Sequence, residues 1–181
     1  MVPIEIVFFI VIAIFGLVGL VRGFLRELGV TLPLIVLLWA YSALGDAFLN
    51  LVEKVMVRAV HYAPGTTTGD LVRCSFYVVS LVFVTFIAYQ GETLAFGGSN
   101  PPGVQGWLLA LLIGLVNGYL IAGTVWFYMA RYNYPFQMLG WVQLPLSPLA
   151  ESIANYALPP SVLGPLLPFL VFFLIILRIL R

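Results

Sequence analysis

Five long apolar runs, most broken only at their ends by charge, constrain this chain more than any motif in it. The first, Ile4 to Val21, is 18 residues with a single charge, Glu5, near its start. At a rise of ~1.5 Å per residue such a run nearly crosses a ~30 Å hydrocarbon layer. Comparable runs cover about Val30–Gly45, Leu71–Leu94, Gly106–Ala130 and Leu163–Ile179. Composition agrees: 62% of residues are hydrophobic and 8% charged, against ~45–50% and ~25% in a soluble globular chain. A chain of 181 residues cannot hide that surplus in water, because its surface must be polar. The expected fold is all-α and integral to a membrane, with about five transmembrane helices and one or two interfacial amphipathic helices.

The joints between runs carry the topology. Arg22 to Gly29 reads as a tight turn that makes the first two spans an antiparallel hairpin. Pro33 is placed in the first turn of the second span, where its missing N–H costs nothing. From Asp46 to Tyr62 the pattern changes. Phe48, Leu49, Val52, Val55, Met56 and Ala59 share one helical face, and Asn50, Glu53, Lys54, Arg58 and His61 share the other. That stretch is too charged to span, so it reads as a helix in the headgroup region or as the tilted end of the second span. Gly97 to Gly103 is a turn. Ser147-Pro148-Leu149-Ala150-Glu151 reads as an N-cap, an N1 proline and a capping box opening a short interfacial helix. Trp39, Trp107, Trp126 and Tyr128 fall near span ends, as an aromatic belt requires.

Orientation rests on Arg22 and Arg26. Five spans place Arg22, Arg26, Arg178 and Arg181 on one side and Lys54, Arg58, Arg73 and Arg131 on the other, a tie under the positive-inside rule. The shortness of the first loop then places Arg22 and Arg26 in the cytoplasm, with the N-terminus outside and the C-terminus inside.

Chemistry is sparse. The single cysteine, Cys74, excludes an intrachain disulfide, and the net charge of +1 excludes broad capture of nucleic acid. His61 is the one histidine; it is a candidate axial ligand for a haem or chlorin, although the polar face of an amphipathic helix already explains its spacing. No triad, phosphate loop or paired carboxylate is present, so the chain reads as non-enzymatic, with no catalytic or metal-binding residues and no predicted cofactor. Its aromatic surfaces would suit contact with lipid, a quinone or a pigment.

Helix packing is the stronger signal. Gly106, Ala110, Gly114, Gly118 and Ala122 recur every fourth residue and put small side chains on one face of the fourth span. Gly16, Gly19 and Gly23, at spacings of three and four, put small side chains on one face at the end of the first. Moreover, Gly19-Leu20-Val21-Arg22-Gly23-Phe24-Leu25 matches Gly114-Leu115-Val116-Asn117-Gly118-Tyr119-Leu120 at five of seven positions. Those two helices run in opposite directions, so an inverted repeat is one reading; similar composition in two packing helices is the plainer one. Both predict close contact between the first and fourth spans. Asn117 is the strongly polar side chain deep in a span, read as interhelical glue or as part of a path. On this reading no acid, lysine or histidine lies near the centre of any span, which weighs against ion-coupled pumping.

The residues Arg22-Gly23-Phe24-Leu25-Arg26-Glu27-Leu28, with the glycine-rich helix containing Gly106, Gly114 and Gly118 and the segment from Ser147 to Leu158, resemble the colicin V production protein (CvpA) family of bacterial inner-membrane proteins. The resemblance covers roughly 4–158. It implies a multi-pass protein of the bacterial inner membrane, tied to toxin production or export and to envelope maintenance, with no catalytic residues to carry over. The chain would divide into a CvpA-like four-helix membrane domain over 1–158 and an additional C-terminal span over 159–181. That extra helix departs from the family pattern and suits recruitment into another assembly. The leading expectation is therefore an accessory or structural subunit of a larger membrane complex, for instance an energy-transducing one, partnered by the bilayer and other membrane subunits. The alternative is a small transporter or channel.

Overall fold

A computed structural model describes residues 3–60, 66–90, 96–139 and 144–179. His61 and Trp141 lie outside them, as does Arg181. The described residues form helices: α1 (Ile4–Arg22), α2 (Phe24–Val60), α3 (Thr67–Gln90), α4 (Gly103–Arg131), α5 (Pro148–Tyr156), α6 (Pro159–Leu163) and α7 (Leu167–Ile179), with short 3-10 turns at Pro135–Leu139 and Gly164–Leu166. Five stretches are long and apolar enough to cross a membrane: α1, Phe24–Gly45 of α2, α3, α4, and Pro148–Ile179 taken through its successive helical pieces. The protein is an all-α polytopic membrane protein.

The first hairpin is tighter than the sequence reading allowed. The break between α1 and α2 is Gly23 alone, at φ +86°. This left-handed backbone favours glycine, because a Cβ there crowds the carbonyl. Leu25, Arg26, Glu27 and Leu28 are ordinary helix formers, so α2 starts at Phe24 rather than Val30. Asn100, in the loop before α4, accepts a hydrogen bond from the Leu25 N–H at 3.1 Å and so satisfies one of the donors left open at the helix start. Pro33 consequently lies inside α2, where it deprives the Gly29 carbonyl of its helical donor.

At its other end α2 runs on without a break through the amphipathic stretch to Val60. The expected interfacial helix is therefore, through residue 60, the continuation of the second span. It reaches about 20 Å past Gly45. Ser147 does cap α5, accepting from the Ala150 N–H at 3.1 Å with Pro148 at the first helical position. The expected capping box is not formed, because Ala150 rather than Glu151 holds the third helical position; the Ser147 hydroxyl also donates to Glu5 Oε1 at 2.7 Å, tying α5 to the start of α1.

α1 and α4 run antiparallel and touch backbone to backbone. A Cβ on Gly19 would lie 2.4 Å from the Ala110 carbonyl oxygen, and one on Gly114 would lie 2.5 Å from the Phe15 oxygen and 3.0 Å from the Gly19 Cα. Gly118 faces Ile12 and Phe15, while a Cβ on Gly16 would have the side chains of Leu111 and Leu115 as its nearest neighbours. Antiparallel crossing explains why Gly23 has no place in this contact: one turn along α4 from Gly114 corresponds to one turn back along α1. Gly23 is a turn glycine, with the Asn100 amide where its Cβ would be. Gly106 packs on the Pro101 carbonyl of its own loop. Ala110 is buried, and Ala122 packs beside the cluster of Ile4, Phe8, Trp126, Ala150 and Leu158. A second core joins Val30, Leu34 and Leu38 of α2 to Leu81, Leu120, Leu167 and Leu174, so α7 shares the interior of the bundle.

Candidate functional site: a buried carboxylate where four helices meet

Glu27 is fully buried. One turn into α2, it points into the bundle because Leu25 and Arg26 take the flanking directions. Leu25 is buried and Arg26 is exposed. Four helices supply its surroundings. Glu27 Oε2 accepts from the Tyr89 hydroxyl of α3 and from the Asn117 amide of α4, each at 2.9 Å. The same amide nitrogen donates to the Glu27 backbone carbonyl at 3.0 Å, and the Thr31 hydroxyl donates to that carbonyl at 3.1 Å and to Asn117 Oδ1 at 2.8 Å. From the end of α1, Arg22 brings Nε to 3.5 Å from Glu27 Oε1 and stacks its guanidinium 4.6 Å from the centre of the Tyr89 ring.

The two carboxylate oxygens differ. Oε2 has two donors, whereas Oε1 has no hydrogen-bond partner, and Nη1 of Arg22 is likewise buried and unpartnered. At 3.5 Å the Arg22–Glu27 contact is an ion pair without a good hydrogen bond. An open donor and an open acceptor thus belong to the same buried cluster. Away from this cluster Leu34, Leu38, Leu81 and Leu120 are almost fully buried and fill much of the bundle.

Asn117 is thus brought together with residues the sequence reading left in a turn. The expectation that no acid lies near the centre of any span concerns the middles of the helices; Glu27 is buried instead in the first turn of the second span. Arg22, read as a topology charge, faces Glu27 inside the protein, whereas Arg26, in the first turn of α2, is exposed. The signal that could have found Glu27 was the run of helix formers between Gly23 and Gly29, which leaves one glycine as the entire turn.

At the opposite end of the bundle, Arg73 of α3 donates to Glu53 Oε1 of α2 from Nε at 2.8 Å and from Nη2 at 2.5 Å. Beneath it the Tyr77 and Tyr128 rings stack at 3.8 Å between centres, with Tyr132 continuing the stack. Tyr41 meets both edge-on and makes hydrogen-bond contacts with the Tyr77 carbonyl and Ser80. Cys74 is buried against this group. Among the described residues no group of three or more His, Cys, Asp or Glu side chains is placed to hold a metal. No family model, curated protein or solved structure matches the chain.

Proposed function

We propose that this polytopic membrane protein is a small transporter, and that Glu27 is the group through which it handles a proton or small cation. One observation carries this reading: a fully buried carboxylate set against a guanidinium, with one oxygen left open, inside an apolar bundle. Taking both charges out of water costs several kcal/mol, and a well-packed apolar substitute is often as stable or more so. An amide and a hydroxyl would suffice to hold the helices together, as Asn117 and Thr31 already do. An ionisable group retained within a span is a functional candidate for that reason. The antiparallel crossing of the two similar stretches at Gly19 and Gly114, beside the cluster, supports it, since transporters built on inverted repeats place their sites between the repeats. The reading takes the chain to be non-enzymatic, a CvpA relative and a resident of the bacterial inner membrane, in keeping with the resemblance at Arg22–Leu28.

Purified protein in liposomes carrying an internal pH dye, challenged with a potassium diffusion potential, tests the proposal. The expected result is ion-driven acidification above that of empty vesicles, abolished by Glu27→Gln and retained in part by Glu27→Asp. Vesicles as tight to protons, sodium and potassium as empty ones remove the reading.

The accessory-subunit reading draws on one further observation: α1 and α7 present large apolar faces outward, including Phe9, Ile10 and Leu17 on one and Phe169, Phe172 and Phe173 on the other. A stable set of co-purifying membrane proteins in mild detergent supports it; migration as a lone monomer or dimer excludes it.

A further inference from the structure

The surroundings of Glu27 narrow the ion it can handle. A small hard metal cation takes about six oxygen ligands. The cluster holds oxygens from Glu27, Thr31, Tyr89 and Asn117, but their hydrogen bonds are turned on one another. Glu27 Oε2 accepts from Tyr89 and Asn117. The Glu27 carbonyl accepts from Thr31 and Asn117, and Asn117 Oδ1 accepts from Thr31. Oε1 alone among these oxygens makes no hydrogen bond. Its charged neighbour is the Arg22 guanidinium, with Nε at 3.5 Å. A metal ion at Oε1 would meet one free oxygen and a positive charge already in place. A proton needs a single lone pair and no shell of ligands, and Oε1 supplies that.

Arg22 gives proton uptake a consequence. The Glu27 side chain is 0% exposed and the Arg22 side chain 22%, so the acid is the enclosed member of the pair and the base reaches the surface. Protonation at Oε1 turns an acceptor into a donor that faces the donors of Arg22. It also leaves the guanidinium as the one charge in the cluster, and a charge kept in the interior without its partner is costly. The other groups facing Glu27 are the Tyr89 hydroxyl of α3, the Asn117 amide of α4 and the Thr31 hydroxyl of its own helix. None of them is charged at neutral pH, so none can stand in for either partner. Arg22 is the member free to turn outward, because it is the last residue of α1, beside the Gly23 turn.

We propose that the ion is a proton rather than a metal cation, and that Arg22 is its built-in counter-charge. Oε1 takes a proton from water on one side, forming one O–H bond. Arg22 turns away while Glu27 is neutral. The proton returns to water on the other side, that bond breaks, and Arg22 closes on the carboxylate again. The inference rests on the transport reading of Glu27, and Arg22 enters it as a positioning residue. The full chain in liposomes with an internal pH dye, driven by a potassium diffusion potential, tests it in sodium and in choline medium, with uptake of radioactive sodium followed in parallel. Acidification at the same rate in both media, with no sodium uptake above that of empty vesicles, is expected. Sodium uptake abolished by Glu27→Gln overturns the proton assignment and leaves the transport reading standing, whereas the absence of both fluxes removes both. Arg22→Gln clears the place of the counter-charge, so external sodium is expected to slow its acidification, and Arg22→Lys is expected to restore indifference to sodium. Wild-type rate and sodium indifference in Arg22→Gln overturn the role of Arg22. Circular dichroism checks the fold of each variant, and where Arg22→Gln does not fold, the wild-type comparison of the two media decides alone.

Discussion

Replacing Asn117 by leucine isolates the polar cluster with little change in volume. It removes three hydrogen bonds: from Thr31 at 2.8 Å, to the Glu27 carbonyl at 3.0 Å and to Glu27 Oε2 at 2.9 Å. The first two are the cheaper losses, because the Thr31 hydroxyl and the Glu27 carbonyl still have one another, and neutral interhelical bonds in membranes average ~0.6 kcal/mol each. The third is a bond to a buried carboxylate, worth ~1.5–3 kcal/mol. Together they give a destabilisation of about 3–4 kcal/mol. Equilibrium unfolding in mixed micelles, followed by circular dichroism, measures it. The cluster also predicts non-additivity. Glu27→Leu alone strands Arg22, and Asn117→Leu alone strands part of the carboxylate, but the double variant removes a donor and its acceptor together. Its loss should fall short of the sum of the two singles by at least ~1 kcal/mol. An Asn117→Leu protein with the wild-type midpoint, or strict additivity in the cycle, would refute the cluster as drawn.

The glycine contacts separate by what each new methyl would meet. Gly114→Ala drives a Cβ into the backbone of α1 and should cost ~1–3 kcal/mol, whereas Gly16→Ala meets movable leucine side chains first and should cost less; thermal unfolding of the two variants compares them. Gly23→Ala imposes a side chain at φ +86° and on the Asn100 amide, with an expected loss of ~1–3 kcal/mol from the backbone alone. Ser147→Ala removes the cap of α5 and its hydrogen bond to Glu5, for which a loss of ~1 kcal/mol and faster amide exchange at Ala150 are expected.

The spans were legible in the sequence because hydrocarbon thickness fixes their length and excludes charge from their middles. The α5 start was legible for a local reason as well: Ser147-Pro148 is cap chemistry that needs no tertiary context. Glu27 was not, because its meaning depends on where one helix stops. A turn of eight residues puts it in water, while a turn of one residue puts it inside. Periodicity cannot choose between these, since Leu25, Leu28 and Thr31 continue the helical pattern in either case. Gly23 could have decided it, as a glycine that ends one helix and begins the next. The glycine stripe told that α4 has a close-packing face, but it did not reveal the register. Antiparallel crossing pairs Gly114 with Gly19 and sets Gly118 against Ile12 and Phe15, and only the fold supplies that offset. The long charged end of α2 was ambiguous because an amphipathic helix lying on a membrane and one leaving it have the same period.

Glu27 lies inside the bundle rather than in a loop. Water-soluble carbodiimide with glycine ethyl ester, applied to the native protein in liposomes opened to both sides and read by peptide mass spectrometry, tests this without any substitution. Glu151, exposed on α5, should label readily, and Glu27 should stay unmodified until the protein is denatured. Labelling of Glu27 at the rate of Glu151 in the folded protein would contradict the buried cluster and the function built on it.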